Sequence, residues 1–136
     1  MDGPSPTCVL LADRHHGLTE GVRGLLETVF ATVVMVADAA SLLDGADRLR
    51  PDLAVVDLSL ARRSGLDWLR ELKRRSPRLK VIALSVHDEE SVRRAAFAAG
   101  ADAVVLKREL ATELLPVVER LRGAGDEPAD PPSNRP

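Results

Sequence analysis

The sequence predicts an α/β protein built on a doubly wound, five-stranded parallel sheet with helices on both faces. Three observations carry this. Short runs rich in Val, Leu and Ile alternate five times with longer amphipathic stretches. Most of the short runs are almost continuously apolar, as strands covered on both faces require. The length of 136 residues suffices for one ordinary core but not for two. Strands alternating with helices in this way call for right-handed crossovers, which lay helices on both sides of the sheet.

The elements follow in chain order. Residues 7–12 form the first predicted strand, in which Cys8 reads as a small buried hydrophobe rather than a reactive thiol. Leu18, Val22, Leu25, Leu26 and Val29 then share one face at helical spacing. Residues 32–37 are the second strand. Leu42, Leu43, Ala46 and Leu49 mark the second helix, and Pro51 turns the chain away from it. The third strand is 52–56, and Leu66, Leu69 and Leu72 mark the third helix. The basic run Lys73-Arg74-Arg75 suits the negative end of that helix, so a solvated terminus is expected rather than a nucleic-acid patch. Arg62-Arg63 is read with the same restraint. Beyond Pro77 lies the fourth strand, 79–84. Asp88 is expected to cap a helix carrying Val92, Ala95, Ala96 and Ala99, and Gly100 to close it as a left-handed C-cap. The last strand is 103–106. With Thr112 as N-cap, Pro116 falls near the first turn of the last helix, where a missing donor costs little. Leu114, Val117, Val118 and Leu121 form its apolar face. Past Arg122 the sequence is rich in Gly, Pro and polar residues, which divides the chain into a domain at 1–122 and a disordered tail or linker at 123–136.

Composition excludes several roles. A net charge of -2 and a pI near 5.9 supply no basic field, so direct nucleic-acid binding by this domain is not expected. No apolar run approaches the ~18 residues of a membrane span, and the N-terminus lacks a secretory pattern, which predicts a cytoplasmic protein without a membrane role.

The chemistry stands immediately after the apolar runs. Asp13 follows the first, Asp57 the third, Ser85 the fourth and Lys107 the fifth. In an open parallel sheet these positions converge at the carboxyl edge, where ligands bind at the topological switch point. Singly, each has a structural explanation as a cap or a snorkelling strand end. Together, two carboxylates, a hydroxyl and an ammonium suit a divalent cation, a phosphoryl group or both. Lysine is scarce, three residues against sixteen arginines, and a compact ammonium suits contact with one phosphoryl oxygen.

Leu-Leu-Ala-Asp13-Arg14-His15, Asp52-Leu-Ala-Val-Val-Asp57-Leu-Ser-Leu with Gly65 beyond it, Val-Ile-Ala-Leu-Ser85 and Gly100-Ala-Asp-Ala-Val-Val-Leu-Lys107 together resemble the receiver domains of two-component response regulators, the CheY-like family. The wording around Ala12-Asp13 and His15 is most similar to the receivers of the LuxR-type helix-turn-helix subfamily. The resemblance covers Thr7 to about Leu121 and implies a flavodoxin-like sheet of strand order 2-1-3-4-5. It implies that Asp57 accepts a phosphoryl group from a sensor histidine kinase and that Ser85 and Lys107 contact that group. It also implies that Mg²⁺ assists, held by Asp13, Asp57 and the backbone carbonyl of Ser59, with Val86 and His87 flanking the pocket. The output would pass to a downstream protein or a second copy of the chain, and the domain is not expected to be an enzyme.

Departures from the family pattern matter as much. Arg14 stands where the family places a second acidic metal ligand, so Asp13, Arg14, Asp57 and Lys107 sum to zero formal charge and Mg²⁺ binding is expected to be weak. Ala61 replaces a common proline and Val104 a common aromatic, and the chain has no tyrosine. The alternative reading is therefore a pseudo-receiver, a phosphorylation-independent interaction module in which the Arg14 guanidinium takes the cation's place. A phosphatase-like enzyme is disfavoured, because Ser59 stands where a carboxylate would act as general acid. The neighbours His15 and His16 are read as loop-surface residues, since no Cys or His cluster completes a zinc set.

Overall fold

The computed structural model describes residues 7–61 and 65–126, without the side chains of residues 16–19 and 124–126. Arg62-Arg63, the Leu18 and His16 side chains and residues 127–136 lie outside the described part. Five parallel strands, β1 (Cys8–Ala12), β2 (Thr32–Val36), β3 (Leu53–Asp57), β4 (Lys80–Ser85) and β5 (Ala103–Leu106), lie in the order β2-β1-β3-β4-β5, the parallel sheet that the apolar runs predict in the order that the family resemblance implies. Five helices alternate with them: α1 (His16–Leu26), α2 (Ala39–Leu49), α3 (Asp67–Arg75), α4 (Glu90–Ala99) and α5 (Leu110–Asp126).

Strand alternation splits the core into two layers. Val9, Leu11, Val55, Ile82 and Leu84 pack with Val22 and Leu26 of α1 and Leu114 and Val118 of α5. Leu10, Ala12, Ala54, Val56 and Ala83 pack with Leu42 of α2, Trp68, Leu69 and Leu72 of α3 and Ala96 of α4. All these side chains are buried, each contributing roughly 1.5–3 kcal/mol for the larger aliphatic groups. At the edge, β2 is only half-buried.

The ends of the elements hold the differences. Asp38 caps α2, accepting from the Ser41 N–H at 2.7 Å, and Gly100 closes α4 at φ 120° as predicted. Asp88 does not cap α4. Its carboxylate pairs with Arg108 at 2.9 Å instead, and the cap position falls to Glu89 without a side-chain bond. Nor does Thr112 cap α5. A 3₁₀ turn over Lys107–Glu109 runs directly into the helix at Leu110, the Thr112 hydroxyl donates back to the Glu109 carbonyl, and Pro116 lies inside the helix. At the other end α5 continues to Asp126, four residues past Arg122, because no proline interrupts it before Pro128.

Lys73 is also not a solvated helix end. Its ammonium donates to the Leu79 carbonyl at 2.7 Å and to Asp102 at 3.1 Å, and Asp102 accepts from the Val81 N–H, so the residue ties α3 to the loops flanking β4 and β5. Cys8 is half-buried, and burial, aided by Asp52, pushes its thiol above the ordinary value, which keeps it protonated. Arg50, the C-cap of α2, is the one described non-glycine residue at positive φ, 48°, a conformation that costs an L-residue roughly 1–2 kcal/mol.

Candidate functional site

Register explains how four distant residues meet. Ala12 of β1 lies opposite Val56 of β3, so Asp13 and Asp57, each one position further, emerge side by side where the sheet order reverses. Asp57 pairs with Leu84, and Ser85 with Leu106, which brings Ser85 and Lys107 to the same carboxyl edge. Among the described residues the buried polar or charged ones are Asp13, Asp57 and Ser85, each 3% exposed. Buried carboxylates are costly unless paired and hydrogen-bonded, so the partners at this edge define the site.

Lys107 supplies the charge. Its ammonium lies 3.0 Å from Asp57 Oδ2 and 3.4 Å from Asp13 Oδ2, spanning the two carboxylates. Asp57 also accepts from the Ser59 N–H at Oδ1 and the Ser59 hydroxyl at Oδ2, both at 3.0 Å. Burial alone pushes the Asp57 carboxyl upward; the Ser59 N–H, the Lys107 hydrogen bond and charge, and the Ser59 hydroxyl outweigh it and hold the group below its ordinary value. Asp57 is thus an anion at neutral pH.

The Ser85 hydroxyl is turned to the loop after β4. It donates to the His87 carbonyl at 3.0 Å and accepts from the His87 N–H at 2.9 Å. The neighbours it anchors are open to solvent: Val86 is 64% exposed, and the exposed His87 ring lies 3.7 Å from Glu89.

Sequence reasoning missed His15. Its N–H donates to Asp13 Oδ1 at 2.8 Å, and its ring Nδ1 lies 3.3 Å from Asp13 and 3.6 Å from Asp57. The signal was the two-residue spacing: an Asp side chain readily accepts the backbone N–H two residues on, and across the bend at Arg14 that bond holds His15 beside Asp13. Arg14, between them, makes no ion pair with Asp13 or Asp57; it is half-buried, and its Nε is buried without a hydrogen-bond partner.

Asp13, His15 and Asp57 place one ligand atom each within 4.8 Å of one another. Two carboxylate oxygens suit a divalent cation in kind. An imidazole nitrogen is a poor substitute for the all-oxygen shell that Mg²⁺ prefers, and Lys107 already neutralises part of the pair. Among the described residues no helix is long and apolar enough to cross a membrane.

Comparison with known proteins agrees with this geometry. Residues 9–119 match the response regulator receiver domain family. The chain is 38% identical to the nitrate/nitrite response regulator protein NarP of Escherichia coli over 109 residues, covering 79% of this chain and 51% of that one. It is 33% identical to the nitrate/nitrite response regulator protein NarL of the same organism, covering 79% and 50%. The crystal structure of a LuxR-family two-component response regulator from an Aurantimonas species superposes with a TM-score of 0.79 at 26% identity, covering 88% of this chain and 87% of that one. The chain spans about half the length of the curated relatives it matches.

Proposed function

Because the chain belongs to the response regulator receiver domain family, related to its LuxR-type members, we propose that Asp57 accepts one phosphoryl group from a sensor histidine kinase and that the phosphorylated domain signals to a downstream protein or a second copy of itself. The observation that carries this is the burial of Asp13, Asp57 and Ser85 at one sheet edge with Lys107 between the carboxylates.

In the transfer, an Asp57 carboxylate oxygen attacks phosphorus, the new O–P bond forms as the P–N bond of a phosphohistidine breaks, and the released imidazole takes a proton. Lys107 is placed to follow the charge from the carboxylate to the phosphoryl oxygens, and the Ser59 N–H keeps the carboxylate oriented. Ser85 reaches a phosphoryl oxygen when its hydroxyl leaves the His87 carbonyl, so phosphorylation reshapes the loop bearing Val86 and His87. These two exposed residues would report the state of Asp57 to a partner.

When bound, Mg²⁺ supplies charge neutralisation to the transferring group. Asp13, Asp57 and the Ser59 carbonyl would hold it, weakly, because Arg14 contributes a positive charge where an oxygen ligand would serve. The pseudo-receiver reading lacks support. The cation between the carboxylates is Lys107, and Arg14 pairs with neither.

Intact mass after incubation with acetyl phosphate tests the proposal. One phosphoryl group should be added to the wild-type protein, with only modest acceleration by Mg²⁺. An unmodified mass under saturating donor would contradict it.

A further inference from the structure

At the opposite, amino edge of the sheet lies a cleft of about 820 Å³, within the size range of small-molecule sites. Arg50, Arg75, Arg78, Lys80 and Arg122 line it. They come from the C-cap of α2, the end of α3, the α3–β4 loop, the start of β4 and the last turns of α5. Two carboxylates also line it, and both are engaged: Asp47 pairs with Arg75 at 3.1 Å, and Asp52 accepts from the Cys8 N–H at 2.8 Å. No carboxylate pairs with Arg50, Arg78 or Lys80 among the described residues. In a chain of net charge -2, five cations around one cleft are a local reversal of sign.

Helix ends explain part of this. The C-termini of α2 and α3 carry partial negative charge and favour one cation each, which accounts for Arg50 and Arg75. It leaves Arg78 and Lys80 unexplained, and Arg122, which stacks on the Phe30 ring at 4.8 Å. Arg50 is informative in a second way. It keeps its left-handed conformation where glycine would carry no steric cost, and a residue held in a disfavoured conformation on a cleft rim points to a use for its side chain. Pro51 and Pro77 stiffen the two loops that present Arg50 and Arg78. Leu79 and Leu121 add apolar wall beneath the charges.

We propose that this cleft binds a small organic ligand carrying two or more phosphate groups, with the phosphates on Arg50, Arg78 and Lys80 and the remainder against Leu79 and Leu121. Planar guanidinium groups with free donors are matched to phosphate oxygens, and the cleft is separate from the Asp57 edge, so ligand and phosphoryl group can occupy the domain together.

An NMR titration of the full chain with tripolyphosphate, ATP and a DNA duplex at equal ionic strength tests this. Tripolyphosphate and ATP should both shift the amides of residues 50, 52 and 78–80, and ATP should bind at least as tightly. The double variant Arg78→Glu/Lys80→Glu should bind both at least tenfold more weakly, with acetyl phosphate still modifying Asp57 at the wild-type rate. Arg50→Gly should weaken binding while raising the thermal midpoint, which separates the ligand role from a folding role. Shifts confined to the Asp13–Asp57 edge, unchanged affinity in the double variant, binding of tripolyphosphate without ATP, or preference for the duplex would each overturn the proposal.

Discussion

Asp57→Asn is expected to abolish phosphoryl acceptance completely while leaving the fold intact. The amide has no anionic oxygen to attack phosphorus, so the loss is of the nucleophile itself rather than of a supporting contact. The packing survives, because an Asn carbonyl still accepts from Lys107 or the Ser59 N–H and Lys107 retains Asp13 at 3.4 Å. The expected stability change is about 1 kcal/mol or less, as for a swap of similar shape that keeps most partners. Its pH dependence has a definite sign. Asp57 titrates lower folded than unfolded, so its ionisation contributes stability that is fully present above the unfolded value of about 3.9 and is lost as pH falls through the lower folded value. The variant lacks that contribution. The stability advantage of wild type over Asp57→Asn should therefore narrow below about pH 4, while wild-type acceptance persists at pH 5. Urea midpoints and phosphorylated fractions measured between pH 2.5 and pH 7, chosen to span about 3.9, check both statements.

The second large effect is expected at Arg14. Arg14→Asp changes the formal charge of Asp13, residue 14, Asp57 and Lys107 from zero to -2 and adds an oxygen ligand where the family usually has one. At an effective dielectric of ~20, one unit charge ~4 Å from a cation is worth about 4 kcal/mol before screening and relaxation. Even half of that exceeds a tenfold change in affinity. The substitution also removes a buried guanidinium nitrogen that has no hydrogen-bond partner, so little native bonding is lost. Calorimetric titration should find weak Mg²⁺ binding by the wild type and at least tenfold tighter binding by Arg14→Asp. Equal affinities would show that residue 14 lies too far from the cation to matter.

What was legible in the sequence follows from period and position. Continuous apolar runs read as buried strands because both sheet faces are covered, and Asp13, Asp57, Ser85 and Lys107 read as one site because each stands one residue past such a run. Contacts that depend on side-chain reach were not legible. Lys73 belongs to a basic run that looks solvated, yet its stem carries the ammonium to Asp102, twenty-nine positions away. His15 was masked by His16, since adjacent histidines suggest a surface loop until the Asp13 carboxylate takes the His15 N–H and holds the ring beside it. Asp88 and Thr112 have the composition of caps, but Arg108 offers Asp88 an ion pair, and the 3₁₀ turn after Lys107 starts α5 before Thr112. The basic cleft is invisible to any window of sequence, because its cations come from three separate segments.

Asp57 as the accepting atom's owner is tested most directly by reductive trapping. After phosphorylation with acetyl phosphate, borohydride reduces an acyl phosphate to the alcohol, converting the modified aspartate to homoserine, which peptide mapping locates. Homoserine at position 57 alone is the expected result; homoserine at position 13, or none at all after forcing phosphorylation, would contradict it.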